Sequence, residues 1–337
     1  MHNIRRTWLA LFGLLLLAAP AVVQAQYAYS TNADGSVYTY STNADGSVTI
    51  EGYSGPPWVV IIPTNINGLK VTSIGQGAFE ETSLASVTIP AGVTNGPRAF
   101  ANITTLTNVT FTDGVTSIVG EMFYNCASLT SVTIPSTVTN IGDYAFCGCG
   151  LTSVTIPGRL TNIGEDVFYG CDLTNVTIPA SVTNIGNSAF QVCLLTNVTI
   201  LGNVISIEDA FDYCALISVY FAGNAPAPNP GAFGGDPTTV YYLPGTAGWS
   251  NTCDGVRAVL WNPLIQASGE NFGVQSNRFG FNITGTTNIH IVVEACTNLA
   301  SPVWTRLETL TLTNGLFYFS DPQWTDYPGR YYRISSP

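Results

Sequence analysis

Eight cysteines, two histidines and three adjacent acidic pairs are the residues of this chain best suited to chemistry. Five of the cysteines, Cys126, Cys149, Cys171, Cys193 and Cys214, recur at a nearly constant step, each the third residue after a phenylalanine. Thiolates are nucleophiles and metal ligands, and eight cysteines in a secreted chain would ordinarily read as a disulfide framework. The pattern argues otherwise. The earlier units place Thr82 and Ile103 at the same position, and a site that accepts Cys, Thr or Ile is a small core site, where a thiol acts as a small hydrophobe. A ladder is also a line, whereas zinc needs a tetrahedron. Stacked units bring equivalent Cα atoms within disulfide range, but their Cβ vectors run parallel instead of converging. The five are therefore expected as buried free thiols. Cys147, Cys253 and Cys296 stand off the ladder, and a Cys253–Cys296 pair stays open.

The acids and histidines assemble no catalytic set. Glu80-Glu81, Glu165-Asp166 and Glu208-Asp209 could serve as acid and base, which a glycosidase holds about 5 to 9 Å apart in a cleft. They fall instead around the repeated phenylalanine turn, as a solvated outer edge would. His290 has no partner in the sequence and falls in a strand-like segment; the only other histidine is His2. Asp34 and Asp45 each precede a glycine in a duplicated stretch, residues 30–37 and 41–48. Asp-Gly favours a hairpin turn, while a calcium loop needs further carboxylates at alternate positions. Charged residues are 9% of the chain, against about 25% on average. Lys70 is the only lysine and the net charge is −11, which excludes the basic footprint of a nucleic-acid binder. The chain is not expected to be an enzyme; a hydrolase is the least favoured reading, and no metal or other cofactor is expected.

The elements that position these residues follow from the period. Val87, Val109, Val132, Val154, Val176 and Val198 are evenly spaced, each within a Val-Thr-Ile or Val-Thr-Phe triplet; weaker copies stand at Val60, Val219 and Val240. Phe79, Phe100, Phe123, Phe146, Phe168, Phe190, Phe211 and Phe233 keep the same step, as do Ile141-Gly142, Ile163-Gly164 and Ile185-Gly186, with Ile74-Gly75 at the start. Alternate strand residues face opposite ways, so Val154 and Ile156 point inward and Ser153 and Thr155 outward. The proline that often follows ends the strand, having no N–H to donate. No unit can bury its own apolar face, so neighbours stack. The expected fold is a mainly β repeat solenoid of about nine parallel strands, roughly 40 Å long at the usual strand spacing.

A period of about 22 residues lies in the leucine-rich repeat range. The pattern Leu-Thr-Ser-Val-Thr-Ile-Pro from Leu151, then Val-Thr-Asn-Ile-Gly from Val182, then Ala-Phe and Cys, resembles the BspA-type leucine-rich repeats of bacterial surface proteins. The resemblance covers about residues 58–249. It implies a right-handed leucine-rich repeat coil, a place on the cell surface, and adhesion or protein–protein binding. Most units here are one residue shorter than is common in the family, the loss falling between Cys and Leu. The stretch 240–245, with Trp249, is similar to the closing cap of such arrays.

Residues 1–25 read as a secretory signal: Arg5 and Arg6, an apolar run over 8–19, then Val23-Gln24-Ala25 as a cleavage site. Its removal takes Arg5 and Arg6 from the ten basic residues and nothing from the 21 acidic ones, so the net charge falls from −11 to −13. No remaining segment is apolar for long enough to span a bilayer. Residues 26–57 read as a β-hairpin cap, 58–250 as the solenoid, 251–265 as a linker, and 266–337 as a small antiparallel β-sandwich with strands near 279–283, 289–294, 307–312, 316–319 and 331–334. The closing Gly-Arg-Tyr-Tyr-Arg, residues 329–333, resembles terminal β-modules of large secreted bacterial proteins.

Two outward columns remain. Thr88, Thr110, Thr133, Thr155, Thr177 and Thr199 form one, and Ser86, Asn108, Ser131, Ser153, Asn175 and Asn197 its neighbour. Thr suits half-exposed strands, so solubility alone could explain them. Equally, they make a neutral hydrogen-bonding concave face of the kind solenoids bind with. The Thr column changes to Tyr220 and Tyr241, aromatic planes suited to sugars or peptides. The expected ligand-binding residues are Ser153, Thr155, Asn175, Thr177, Asn197, Thr199, Tyr220 and Tyr241. Their partner would be a protein or, as the alternative, a polysaccharide at the Tyr-rich end, on an extracellular surface. The oligomeric state is left open.

Overall fold

The computed structural model describes residues 27–336 apart from Gly235; the expected signal segment lies outside the described residues. The coils of the solenoid are built from a long strand, a short strand and an aromatic turn, though not every coil keeps all three. The long strands are Val59–Ile61, Ser86–Ile89, Asn108–Phe111, Asn175–Ile178, Asn197–Ile200, Ser218–Phe221 and Thr239–Tyr242. Neighbours pair in parallel and in repeat register, as in Val87↔Val109, Asn175↔Asn197 and Tyr220↔Tyr241. The two central coils hold residues 131–134 and 153–156 in the same column, but only the bridge Ser131↔Ser153 survives there. The Ile-Gly ladder forms a second column of short parallel strands, among them Ser117–Ile118, Asn140–Ile141, Asn162–Ile163 and Asn184–Ile185. Its glycines let the coils approach: a Cβ on Gly142 would stand 2.5 Å from the Gly120 amide nitrogen.

The eight phenylalanines are fully buried and stacked, with successive ring centroids 4.9 to 6.4 Å apart. Burying such a ring stabilises the fold by about 1.5–3 kcal/mol, and the stack gives the solenoid one continuous core from end to end. The aromatic turn needs left-handed backbone on both sides of the ring. Positive φ recurs at the second position before and the second after the phenylalanine: Arg98 and Asn102, Glu121 and Asn125, Tyr144 and Gly148, Asp166 and Gly170, Ser188 and Val192.

The ends are closed unequally. Strands Ala28–Thr31, Val37–Thr42 and Val48–Ser54 form an antiparallel meander whose last strand pairs in parallel with Leu69–Ile74. Tyr53 extends the aromatic stack, 5.2 Å from Phe79. In its two turns Asp34 and Asp45 each accept bonds from the amide and hydroxyl of a serine, Ser36 and Ser47, at 2.6–2.9 Å. The cap thus closes the short-strand column and leaves Val59–Ile61 as an open edge of the long one. At the other end, the stretch expected as a linker contains Val256–Leu260, a further long strand parallel to Thr239–Tyr242. The sequence pattern concealed it because the step from Val240 to its partner Ala258 is shorter than the repeat, with no aromatic turn between.

Beyond it, Leu264–Gln266, Gly273–Gln275, Arg278–Thr284 and Leu316–Asp321 form one antiparallel sheet, and Ile289–Cys296, Thr305–Leu312 and Tyr331–Ser335 another. The Gly-Arg-Tyr-Tyr-Arg motif holds this module together. Arg330 makes a buried ion pair with Asp321 at 2.8 Å, and the Tyr332 hydroxyl donates to the same carboxylate at 2.8 Å. Arg333 reaches Glu294 and lies over the Trp304 ring. Among the described residues no helix is long and apolar enough to cross a membrane.

Candidate functional site

The threonines of the solenoid divide by what their hydroxyls touch. Thr107, Thr152, Thr196 and Thr238, each at the second position before an inward valine, donate to carbonyls of the preceding coil at 3.1–3.4 Å. Thr94, Thr139 and Thr183 do the same on the short-strand side. These hydroxyls staple coil to coil. By contrast, among the described residues no hydrogen bond engages the hydroxyls of Ser153, Thr155, Thr177 or Thr199. The Asn175 and Asn197 amides donate to the adjacent Thr174 and Thr196 hydroxyls, which fixes their orientation. Ser153, Thr155, Asn175 and Thr177 are exposed; Asn197 and Thr199 are half-buried.

These residues are also brought together. Ser153, Thr155, Asn175 and Thr177 line a depression of about 240 Å³ with Pro179 and Leu201. A second, of about 290 Å³, is lined by Asn108, Thr110, Ser131, Thr133 and Pro135, with Asp113 as its one charge. Both lie beside the central coils, where the long-strand ladder thins to one bridge. The surface therefore offers unpaired hydroxyls in shallow, nearly neutral hollows.

Tyr220 and Tyr241 do not belong to it. They are 6% and 3% exposed, stacked 4.9 Å apart, with Trp261 edge-on to Tyr220 at 6.2 Å. Together with Val259 they pack into a second core with Phe281, Ile283, Ile291 and Phe319 of the C-terminal module. The alternation of the strand assigned these side chains correctly to the outward face, but it carries no information on what lies above that face. Among the described residues the buried Tyr220 hydroxyl has no hydrogen-bond partner, and burial pushes its pKa up. A sugar platform needs open aromatic faces, which these two rings lack.

The remaining candidates have structural tasks. Each ladder thiol is buried and free, and each donates to the carbonyl of the phenylalanine one coil back, at 3.1–3.3 Å. Burial raises the thiol pKa, to about 12 for Cys126 and Cys171 and about 11 for Cys214. Cys253 and Cys296 are both unpaired: the first sits in the hairpin with Val256, the second opposite Tyr331. Glu80 is not loosely solvated as expected; Arg98 bonds it at 2.6 Å and Glu121 at 2.9 Å, clasping three coils. Glu165 accepts the Tyr144 hydroxyl at 2.9 Å. His290 is exposed, with Nδ1 2.8 Å from the Thr311 hydroxyl. Among the described residues no group of three or more His, Cys, Asp or Glu is placed to hold a metal ion.

The profile of the BspA type leucine-rich repeat region matches in six copies over residues 63–149 and 116–237, together just over half the chain. Among solved structures, a leucine-rich repeat protein of T. pallidum is 27% identical, over 58% of this chain and 87% of that one, with a TM-score of 0.46. A leucine-rich cell surface protein of Faecalibacterium prausnitzii is 25% identical, over 69% and 76%, with a TM-score of 0.42. A leucine-rich repeat protein of Bacteroides ovatus is 22% identical, over 66% and 71%, with a TM-score of 0.46. No curated protein matches the sequence.

Proposed function

Because this chain belongs to the BspA-type leucine-rich repeat family, we propose that it acts by recognition outside the cell, binding a protein partner through the long-strand face of its solenoid. The observation that carries the reading is the division of the hydroxyls: the stapling threonines are spent on the neighbouring coil, while Ser153, Thr155, Thr177 and Thr199 are unspent and line or adjoin a hollow. Each hydrogen bond made there nets about 0.5–1.5 kcal/mol, so affinity grows by repetition along the stack. With so few charges on the face, binding should depend weakly on salt. The reading includes adhesion to a surface and excludes turnover. Burial of Tyr220 and Tyr241 removes the main support for a polysaccharide ligand.

The test is to present the immobilised chain, lacking residues 1–25, with a panel of extracellular matrix proteins and a glycan array. Binding should appear on the protein panel. Thr155→Lys with Thr177→Lys should abolish it at unchanged melting temperature, and charge reversal at Glu165 and Asp166 should leave it intact. Binding confined to glycans, or lost only in the second pair, would refute the reading.

A further inference from the structure

The long-strand column has apolar outward residues at both ends, and among the described residues only one end is covered. At the C-terminal end Tyr220, Tyr241 and Val259 lie beneath the β-module. At the N-terminal end the corresponding positions are Val59 and Ile61, where most other coils carry Ser or Asn and Thr. Val59 is 64% exposed, Ile61 69%, and Trp58 beside them 69%.

The backbone of the same strand is half-used. Ser86 donates its amide to the Trp58 carbonyl at 2.9 Å, and Ile62 donates to the Thr88 carbonyl at 3.0 Å. Even-numbered residues therefore face the neighbouring strand, and alternation turns the amides and carbonyls of Val59 and Ile61 to the open side. Among the described residues no strand pairs there, because the N-terminal meander joins the other column. Natural edges are usually blunted; this one is only shortened, by Pro56, Pro57 and Pro63.

We propose that strand Val59–Ile61 is a docking edge for an extended, apolar, uncharged or basic segment of a partner protein, which adds a strand to the long-strand sheet. An exposed row of alternating N–H and C=O groups is chemistry that a polypeptide strand matches. The occupant's character is set by what the chain itself supplies at the far end of the column, in a separate sheet, where Val256–Leu260 adds a strand of four apolar residues and Arg257. A second copy is the poorer occupant. Three side chains fall short of the roughly 800 Å² per partner of a standard interface, and two chains of net charge −11 repel. The inference rests on the protein-binding reading above and names where such a partner is anchored.

The probe is a labelled peptide copying residues 195–200, which include the solenoid strand Asn197–Ile200, with two lysines at each end. It should bind the chain lacking residues 1–25 saturably and slow amide exchange at Val59 and Ile61 at least tenfold. Ile61→Pro removes only a donor facing the open side, as edge strands tolerate, and should weaken the peptide at least tenfold. Val59→Thr, which leaves the backbone intact, should weaken it severalfold. Thr155→Lys with Thr177→Lys should change peptide affinity less than twofold, so that failure at this edge and failure of the hollow are separable. Three results would overturn the proposal: absence of saturable binding, equal affinity in the Ile61→Pro and Val59→Thr variants, or a dimer of the unmodified chain that Ile61→Pro returns to monomer.

Discussion

The thiol of Cys171 donates to the carbonyl of Phe146, one coil back, across 3.3 Å. The same bond joins Cys126 to Phe100, Cys149 to Phe123, Cys193 to Phe168 and Cys214 to Phe190. Where the first coil has Thr82 instead, its hydroxyl donates to Phe79 of its own coil at 2.7 Å. At these six positions the side chain has a hydrogen to give, whereas Ile103 of the second coil fills the same place without one. Cys171→Ala removes the donor and leaves a void, and should cost about 1–3 kcal/mol. Cys171→Thr retains a donor and should cost less. Chemical denaturation of the two variants decides the order.

Alkaline pH should expose the same thiols. Their pKa values are raised from 9.0 to about 12 for Cys126 and Cys171, so the unfolded chain loses these protons first. Their stabilising contribution is complete below pH 9 and declines between pH 9 and about 12, by up to about 1.4 kcal/mol per pH unit for each thiol. The melting temperature should fall across that window, less steeply in a Cys126→Thr, Cys171→Thr double variant. Native protein at pH 8 should resist alkylation at all five ladder cysteines, and mass mapping should find none of them bridged.

Val192 holds φ at 61°, in the left-handed region, where coils earlier in the stack place Asn102, Asn125, Gly148 and Gly170. A β-branched residue there costs roughly 1–2 kcal/mol, and Val192 is 45% exposed. Val192→Asn should stabilise the protein by about 1 kcal/mol in denaturant titration.

Tyr241 joins solenoid to module. Tyr241→Ala should remove about 3–5 kcal/mol of packing and uncouple the two, so that calorimetry resolves two transitions where the parent shows one.

What could be read in advance was what repeats. Four aligned ladders place the inward Val and Ile, the Phe stack and the buried thiols, because each is dictated within one coil and seen again in the next. What escaped depends on things outside the period. The strand Val256–Leu260 breaks the regular step. Strand alternation turns Tyr220 and Tyr241 to the outward face, but the module that covers them starts well downstream in the chain. The left-handed turn positions are occupied by Arg, Glu, Tyr, Asp and Val as well as by Gly and Asn, so residue type does not flag them. Among outward threonines, only geometry separates the staples, such as Thr152, from the unspent hydroxyls, such as Thr155.

Every ring, thiol and staple of the uniform section reaches one coil back and no further. A duplicated coil inserted there would meet, on each side, the contacts it already makes. Gene duplication can therefore lengthen the molecule by about 4.8 Å at a time while both terminal closures stay as they are. Reach is then a dimension adjustable by copy number instead of by point substitution.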